Sequence, residues 1–200
     1  MLGNMLQSRP RVLNMLHAMG VAEPATQTID VELAGLARHA AGCKVALEIG
    51  TFQGVSAGVI ARALSAEGHL YCIDPWDPID GRENVVFSIA KRHFVRSGVA
   101  GRIVVLQGTS VTTEARIPPV LDFAFIDGDH SYQGLETDWA IVASRVAPGG
   151  IVCLHDTTIP AAEPHRNHGS VRYFDDVIRR DPRFRHVETV YSMNVMQRLP

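Results

Sequence analysis

VALEIGTFQGVSA, Val45 to Ala57, is the stretch that decides the fold. Val45, Ala46, Leu47 and Ile49 make a short apolar run, interrupted by one acid, Glu48. Gly50 and Gly54 bracket a turn, after which Val55, Ala57, Val59, Ile60, Ala63 and Leu64 recur at helical spacing. The pattern predicts a buried strand, a tight turn and a helix whose N-terminus faces a ligand. Open N–H groups at such a terminus suit anions, or acceptors such as a carboxylate. The spacing is not the dinucleotide fingerprint G-x-G-x-x-G. Phe52 stands where its second glycine belongs, and Gly54 falls one position early for the third.

Working outward, Thr28 or Asp30 is placed to cap a helix running through Leu33, Leu36 and Ala37 to Ala41, where Gly42 ends it. His69–Asp74 reads as the second strand, and Asn84–Gly98 as a helix with Val86, Ile89, Ala90, Phe94 and Val95 on one side. Lys91, Arg92, His93 and Arg96 make a basic patch on that helix, read as a solvated face. Ile103–Gln107 is a third strand and Val120–Asp127 a fourth; a helix follows from Tyr132 to Val146. Ala147-Pro148-Gly149-Gly150 reads as a turn, Ile151–Leu154 as the fifth strand and Val171–Arg180 as an amphipathic helix. His186–Tyr191 and Asn194–Arg198 can close the sheet as an antiparallel hairpin. Strands alternating with helices predict an α/β protein with a doubly wound, mostly parallel, Rossmann-like sheet.

The whole chain sets bounds on function. Two hundred residues with 46% hydrophobic content suit one core. A net charge of −2 gives no global field for nucleic acid or an acidic membrane. Cys43, Cys72 and Cys153 form no C-x-x-C pair and read as small buried residues rather than a disulfide or zinc set. No apolar run reaches membrane-spanning length, so the chain is expected in the cytoplasm. Residues 1–30 are expected to form an N-terminal helical segment, and 31–200 the catalytic domain. Leu6, Val12, Leu13, Met15, Leu16 and Met19 surround an Arg9-Pro10 break. That methionine-rich side would pack on the domain or on a second subunit, giving a homodimer; a lid is the alternative.

Ligands of such sheets sit beyond the carboxyl ends of the strands. Glu48, Asp74, Gly108, Asp127 and Asp156 all fall at or near those ends. Asp74 is placed to accept hydrogen bonds from ribose hydroxyls. Trp76 could stack on a base or cover the core. Asp127 and Asp156 each follow an apolar strand, and neighbouring strands lie only about 4.8 Å apart. Two carboxylates that close repel unless a proton or cation separates them. Asp129 reads as a turn and cap residue, and His165 and His168 as loop residues able to visit an acceptor.

With these residues in hand, the chain resembles the class I S-adenosylmethionine (SAM) methyltransferases from about Val31 to the C-terminus. EIGTFQG looks like the turn of the catechol- and caffeoyl-type O-methyltransferases. FIDGDHSYQGLETDWAIVASRVAPGGIVCLHDT looks like a small bacterial family that includes macrolide sugar O-methyltransferases and cephalosporin-hydroxylase-like proteins. The resemblance implies SAM held across Glu48, Gly50, Thr51, Phe52, Gly54 and Ser56, with Asp74 on the ribose and Trp76 near the adenine. Gly108, Thr109 and Ser110 would border the adenine, with Asp127 near the reacting end. It implies a divalent metal at Asp127, His155 and Asp156, and His130 as general base beside Asp127. Relatives often carry two acids, or an acid and an amide, where this chain has His155-Asp156; imidazole brings manganese or another borderline ion into consideration beside magnesium. The acceptor would be a small hydroxylated molecule. A metal-independent transfer, possible at nitrogen, in which Asp127 and His130 only orient the acceptor stays open, as does a SAM-binding protein without catalysis.

Overall fold

The computed structural model describes residues 12, 15–17, 19–20, 22–163 and 168–200. Leu6, Leu13 and most of the methionine-rich segment, together with His165, lie outside the described residues. Seven strands form the sheet: β1 (Val45–Ile49), β2 (His69–Asp74), β3 (Ile103–Gln107), β4 (Leu121–Ile126), β5 (Val146–Leu154), β6 (Phe184–Val190) and β7 (Met193–Arg198). Their order is β3-β2-β1-β4-β5-β7-β6. The first five run parallel, while β7 is antiparallel to both β5 and β6. Strand order reverses between β1 and β4, where a crevice opens at the carboxyl edge.

Among the described residues the helices that flank the sheet are α1 (Asp30–Ala40), α2 (Val55–Ala63), α3 (Val85–Arg96), the single turn α4 (Ser110–Thr113), α5 (Tyr132–Ala143) and α6 (Gly169–Asp176). Period-two alternation sends Leu47 and Ile49 to one face and Ala46 and Glu48 to the other. The first face packs Leu47, Ala124 and Ile126 against Leu135, Trp139 and Val142 of α5 and Phe174 of α6. The second packs Ala46, Phe123 and Phe125 against Leu36 of α1, Ile60 of α2 and Phe94 of α3. Cys72 and Cys153 are buried in that second core and Cys43 packs at its edge, all three unpaired. No helix of the described residues is long and apolar enough to cross a membrane.

Several boundaries differ from the sequence reading. Helix α1 is capped at Ile29, not at Thr28 or Asp30, because Glu32 reaches back to accept from the Ile29 N–H at 3.1 Å. That is half of a capping box. Helix α5 stops at Ala143, and Val146 already belongs to β5. Ala147-Pro148-Gly149-Gly150 is a bulge inside that strand: Val146 faces Leu121, and pairing resumes with Ile151 opposite Phe123. A bulge tolerates the missing proline N–H and supplies the positive φ of Gly149, 83°. The basic patch on α3 is partly neutralised, Lys91 by Glu83 and Arg96 by Glu23.

Candidate active site

A cavity of about 700 Å³ opens over the carboxyl edge, a size suited to a small-molecule site. Its walls are Gly50, Thr51, Phe52 and Ser56 after β1, Asp74 and Pro75 after β2, Gly108, Thr109 and Ser110 after β3, and Asp127, Gly128, Asp129 and His130 after β4. The turn after β1 is held from both sides. Gly50 N–H donates to the Ile73 carbonyl (2.9 Å), and Asp127 N–H donates to the Ile49 carbonyl (2.8 Å). Gly50 has a φ of +89°, and a Cβ there would lie 1.9 Å from the Asp127 carbonyl oxygen, so only glycine fits. Asp74 ties the turn to β2 by accepting from the N–H groups of Phe52 (2.9 Å) and Trp76 (3.2 Å). Burial raises its pKa. Each carboxylate oxygen can still accept a second bond from a ligand hydroxyl.

Three expected cofactor contacts stand behind this wall rather than on it. Trp76 is buried; its indole stacks on Phe87 with centroids 4.6 Å apart, and its Nε1–H donates to the Phe52 carbonyl at 2.9 Å. The indole therefore braces the turn and does not reach the cavity. Gly54 caps α2 with a φ of 80° beneath Phe94, whose Cε1 would be 2.4 Å from any added Cβ. Glu48 is fully buried, and burial pushes its pKa up to about 7 against the pull of the Ser56 and Thr51 hydroxyls.

Two further walls were not legible in the sequence. Ala25, Thr26, Gln27 and Thr28 cross the cavity as an irregular stretch, fastened where Ala25 N–H donates to Gln53 Oε1 at 2.7 Å. No periodicity marks such a segment. Thr137 and Asp138 enter from α5, and burial lifts Asp138 to about 6 although the Ser110 hydroxyl opposes the rise.

At the other end Asp127 and His130 line the cavity, and His155, Asp156 and His168 stand behind them. His130 Nε2 lies 3.2 Å from Asp127 Oδ1, and His130 Nδ1 lies 3.6 Å from Asp156 Oδ2. His155 Nδ1 is 2.8 Å from Asp127 Oδ1 and 3.8 Å from Asp156 Oδ2. His168 Nε2 approaches the same Asp156 oxygen at 3.6 Å. Burial would raise Asp127, but His130 and His155 beside it bring its carboxyl below the ordinary range. Asp129 is occupied in the turn, accepting from the N–H and the hydroxyl of Ser131 (both 2.9 Å).

Asp156 is buried at a φ of 49°, a conformation that costs a non-glycine residue roughly 1 kcal/mol or more. The start of α6 holds both loops in place. Ser170 donates its N–H to the His130 carbonyl (2.9 Å) and its hydroxyl to the Asp156 carbonyl (2.6 Å). A Cβ on Gly169 would sit 2.3 Å from Tyr132 N, so the close approach needs glycine.

These donors fit a divalent ion. Two triads, Asp127–His130–His155 and His130–Asp156–His168, bring one ligand atom from each member within 4.8 Å of the others. Bonds of about 2.1 Å at right angles would put two ligand atoms about 3 Å apart, near the shorter separations above. His155 Nδ1 is moreover buried and, despite its 2.8 Å approach to Asp127, too poorly aligned for a hydrogen bond with any described residue.

Residues 47–157 match a family model described as a methyltransferase domain. No curated protein matches the chain at a significant level. Among solved structures, an O-methyltransferase from Bacillus cereus in complex with S-adenosylhomocysteine (SAH) is 20% identical with a TM-score of 0.62, covering 96% of this chain and 91% of that one. TomG from Streptomyces achromogenes, an O-methyltransferase involved in tomaymycin synthesis and solved with SAM, is 19% identical with a TM-score of 0.64, covering 96% and 89%. Cofactor-bound Rv0187 from MTB is 18% identical with a TM-score of 0.67, covering 99% and 95%. At these identities the likeness establishes the fold.

Proposed function

Because this chain belongs to the SAM-dependent methyltransferase family, we propose that it carries the methyl group of SAM to a hydroxyl of a small molecule, with a divalent ion assisting. The observation that supports this reading is the meeting of two carboxylates and three imidazoles around Asp127 and His130, which line the cavity opposite its backbone cradle. SAM would lie across Gly50–Phe52, its ribose hydroxyls on Asp74 and its adenine beside Gly108–Ser110. Methyl transfer from a sulfonium is an in-line displacement, so fixing both reactants supplies much of the rate. Asp127 and His155 of the first triad and Asp156 of the second would hold the ion, leaving His130, common to both, free for the acceptor; the ion lowers the pKa of an adjoining hydroxyl when bound. His130 lines the cavity and is placed to take the hydroxyl proton. Mixed carboxylate and imidazole donors suit manganese or another transition ion better than magnesium. The role of TomG in tomaymycin synthesis is compatible with a natural-product acceptor.

A second reading has its own observation. Burial alone would lower His155, yet Asp127 and Glu32 on either side push it up to about 10. An imidazolium at His155 would separate the carboxylates without any metal, and Asp127 and His130 would then only orient the acceptor. Dialysis against EDTA decides between the two. Turnover lost with the ion and restored by Mn²⁺ supports the first, and full activity after EDTA supports the second. Tight SAH binding with no transfer to any hydroxyl or amine would leave a SAM-binding protein without catalysis.

A further inference from the structure

We propose that Glu32, outside the segment that matches the family, is a positioning residue that fixes which nitrogen of His155 faces the acceptor end of the site. Glu32 stands on α1 in register with Leu36 and Ala40, one turn apart each, and all three are buried to 1% exposure or less. An apolar side chain would be the cheap occupant of such a stripe, since a buried carboxylate is costly unless its oxygens are all engaged. Here they are. Oε1 accepts from the N–H (3.1 Å) and the hydroxyl (2.6 Å) of Ser192, in the turn between β6 and β7. Oε2 accepts from the Ile29 N–H (3.1 Å) and lies 3.3 Å from His155 Nε2.

The Ser192 and Ile29 donors ask only for an acceptor. Among the described residues His155 is the neighbour that makes use of the charge. An imidazole holds its two nitrogens on separate edges of one rigid ring, so engaging Nε2 with Glu32 turns Nδ1 toward Asp127 and Asp156. The ring has little freedom besides. His155 N–H donates to the Ile126 carbonyl at 3.0 Å, and Phe125 packs edge-on against the imidazole at 6.2 Å. Partners of this kind orient metal-binding histidines and select their tautomer. Glu32 thus couples the docking of α1, which the cavity-lining stretch Ala25–Thr28 precedes, to the chemistry beyond β4 and β5.

The inference rests on the metal-assisted reading, and the test separates the two. In the wild-type protein loaded with Zn²⁺, the ¹⁵N spectrum of His155 is expected to give a coordinated Nδ1 and a protonated Nε2; coordination through Nε2 overturns the proposal. Glu32→Gln keeps the shape and removes the charge. Calorimetry should find Mn²⁺ bound about 10- to 100-fold more weakly, with SAH affinity within about twofold of wild type, the usual mark of a positioning defect rather than unfolding. Equal Mn²⁺ affinity in a folded variant overturns it. Should the wild type take up no ion, the metal-assisted reading fails on its own. Glu32 is then judged on the ion-free wild-type protein, where a slowly exchanging His155 Nε2–H supports the role and a freely exchanging one refutes it.

Discussion

The two ends of the cavity are made of different materials. The end formed after β1, β2 and β3 is mostly backbone: a glycine turn, N–H groups and one aspartate that organises them. The end formed after β4 and β5 is mostly side chain: Asp127 and His130 on the cavity, His155, Asp156 and His168 behind them, and a glutamate that stands 123 residues from His155 in sequence. A backbone cradle is set by chain geometry and tolerates change in its side chains. A cluster of charges depends on each member, since removing one leaves the others buried and uncompensated. Substitutions at the first end should therefore act on folding and cofactor affinity, and those at the second on turnover.

The largest effect is expected at the side-chain end. His130→Ala should lower kcat by about 10²–10⁴ while SAH affinity by calorimetry stays the same. A fall in both would mean the two ends are not separable. Next comes the backbone end itself. Gly50→Ala should cost about 2–4 kcal/mol of stability in urea denaturation, strain and a clash with the Asp127 carbonyl adding together. Gly42→Ala is the matched control, also at positive φ (+76°) but with nothing within 4 Å of the new Cβ, and should cost about 1 kcal/mol. Equal losses would refute the close approach as the reason for Gly50.

Asp74→Ala should weaken SAH by about 1–3 kcal/mol through a lost buried hydrogen bond. Unchanged affinity would remove Asp74 from the ribose. The most gradual effect concerns Glu48. Its folded pKa, about 7, lies above the ordinary glutamate value, so the unfolded chain releases this proton first as pH rises. Stability therefore falls between the two values and levels off above the folded one. Glu48→Gln removes that fall: wild type should lose up to roughly 3 kcal/mol relative to the variant between pH 4 and pH 8. Parallel stability curves would place the proton elsewhere.

This difference in material explains what the sequence disclosed. The cradle was readable because glycine spacing and an apolar run constrain backbone directly, and strands β1 to β4 fall within a residue of their expected bounds. Asp127, His130, His155 and Asp156 follow strand ends, which converge in such a sheet, and the structure brings them together. Glu32 was not readable, since a lone acid in an amphipathic helix reads as solvated face; only packing puts it against His155. His168 reads as a loop residue for the same reason, its approach to Asp156 depending on how α6 docks. Trp76 carried a signal that pointed both ways, and its stacking on Phe87 depends on where α3 comes to rest.

The bolt at the start of α6 has a practical side. Ser170 fastens the loops after β4 and β5 to each other, while the N–H groups of Thr157 and Thr158 both donate to the Ser192 carbonyl at 3.0 Å. The connection between Thr158 and Gly169 is thus clamped at both ends independently of what runs between them. Doubling the length of such a connection costs only about 0.6 kcal/mol in closure entropy. This is the place to graft longer inserts when tailoring the enzyme to bulkier acceptors, because the loops around Asp127, His130 and Asp156 are anchored without it, provided the insert ends before His168 and leaves that ring beside Asp156.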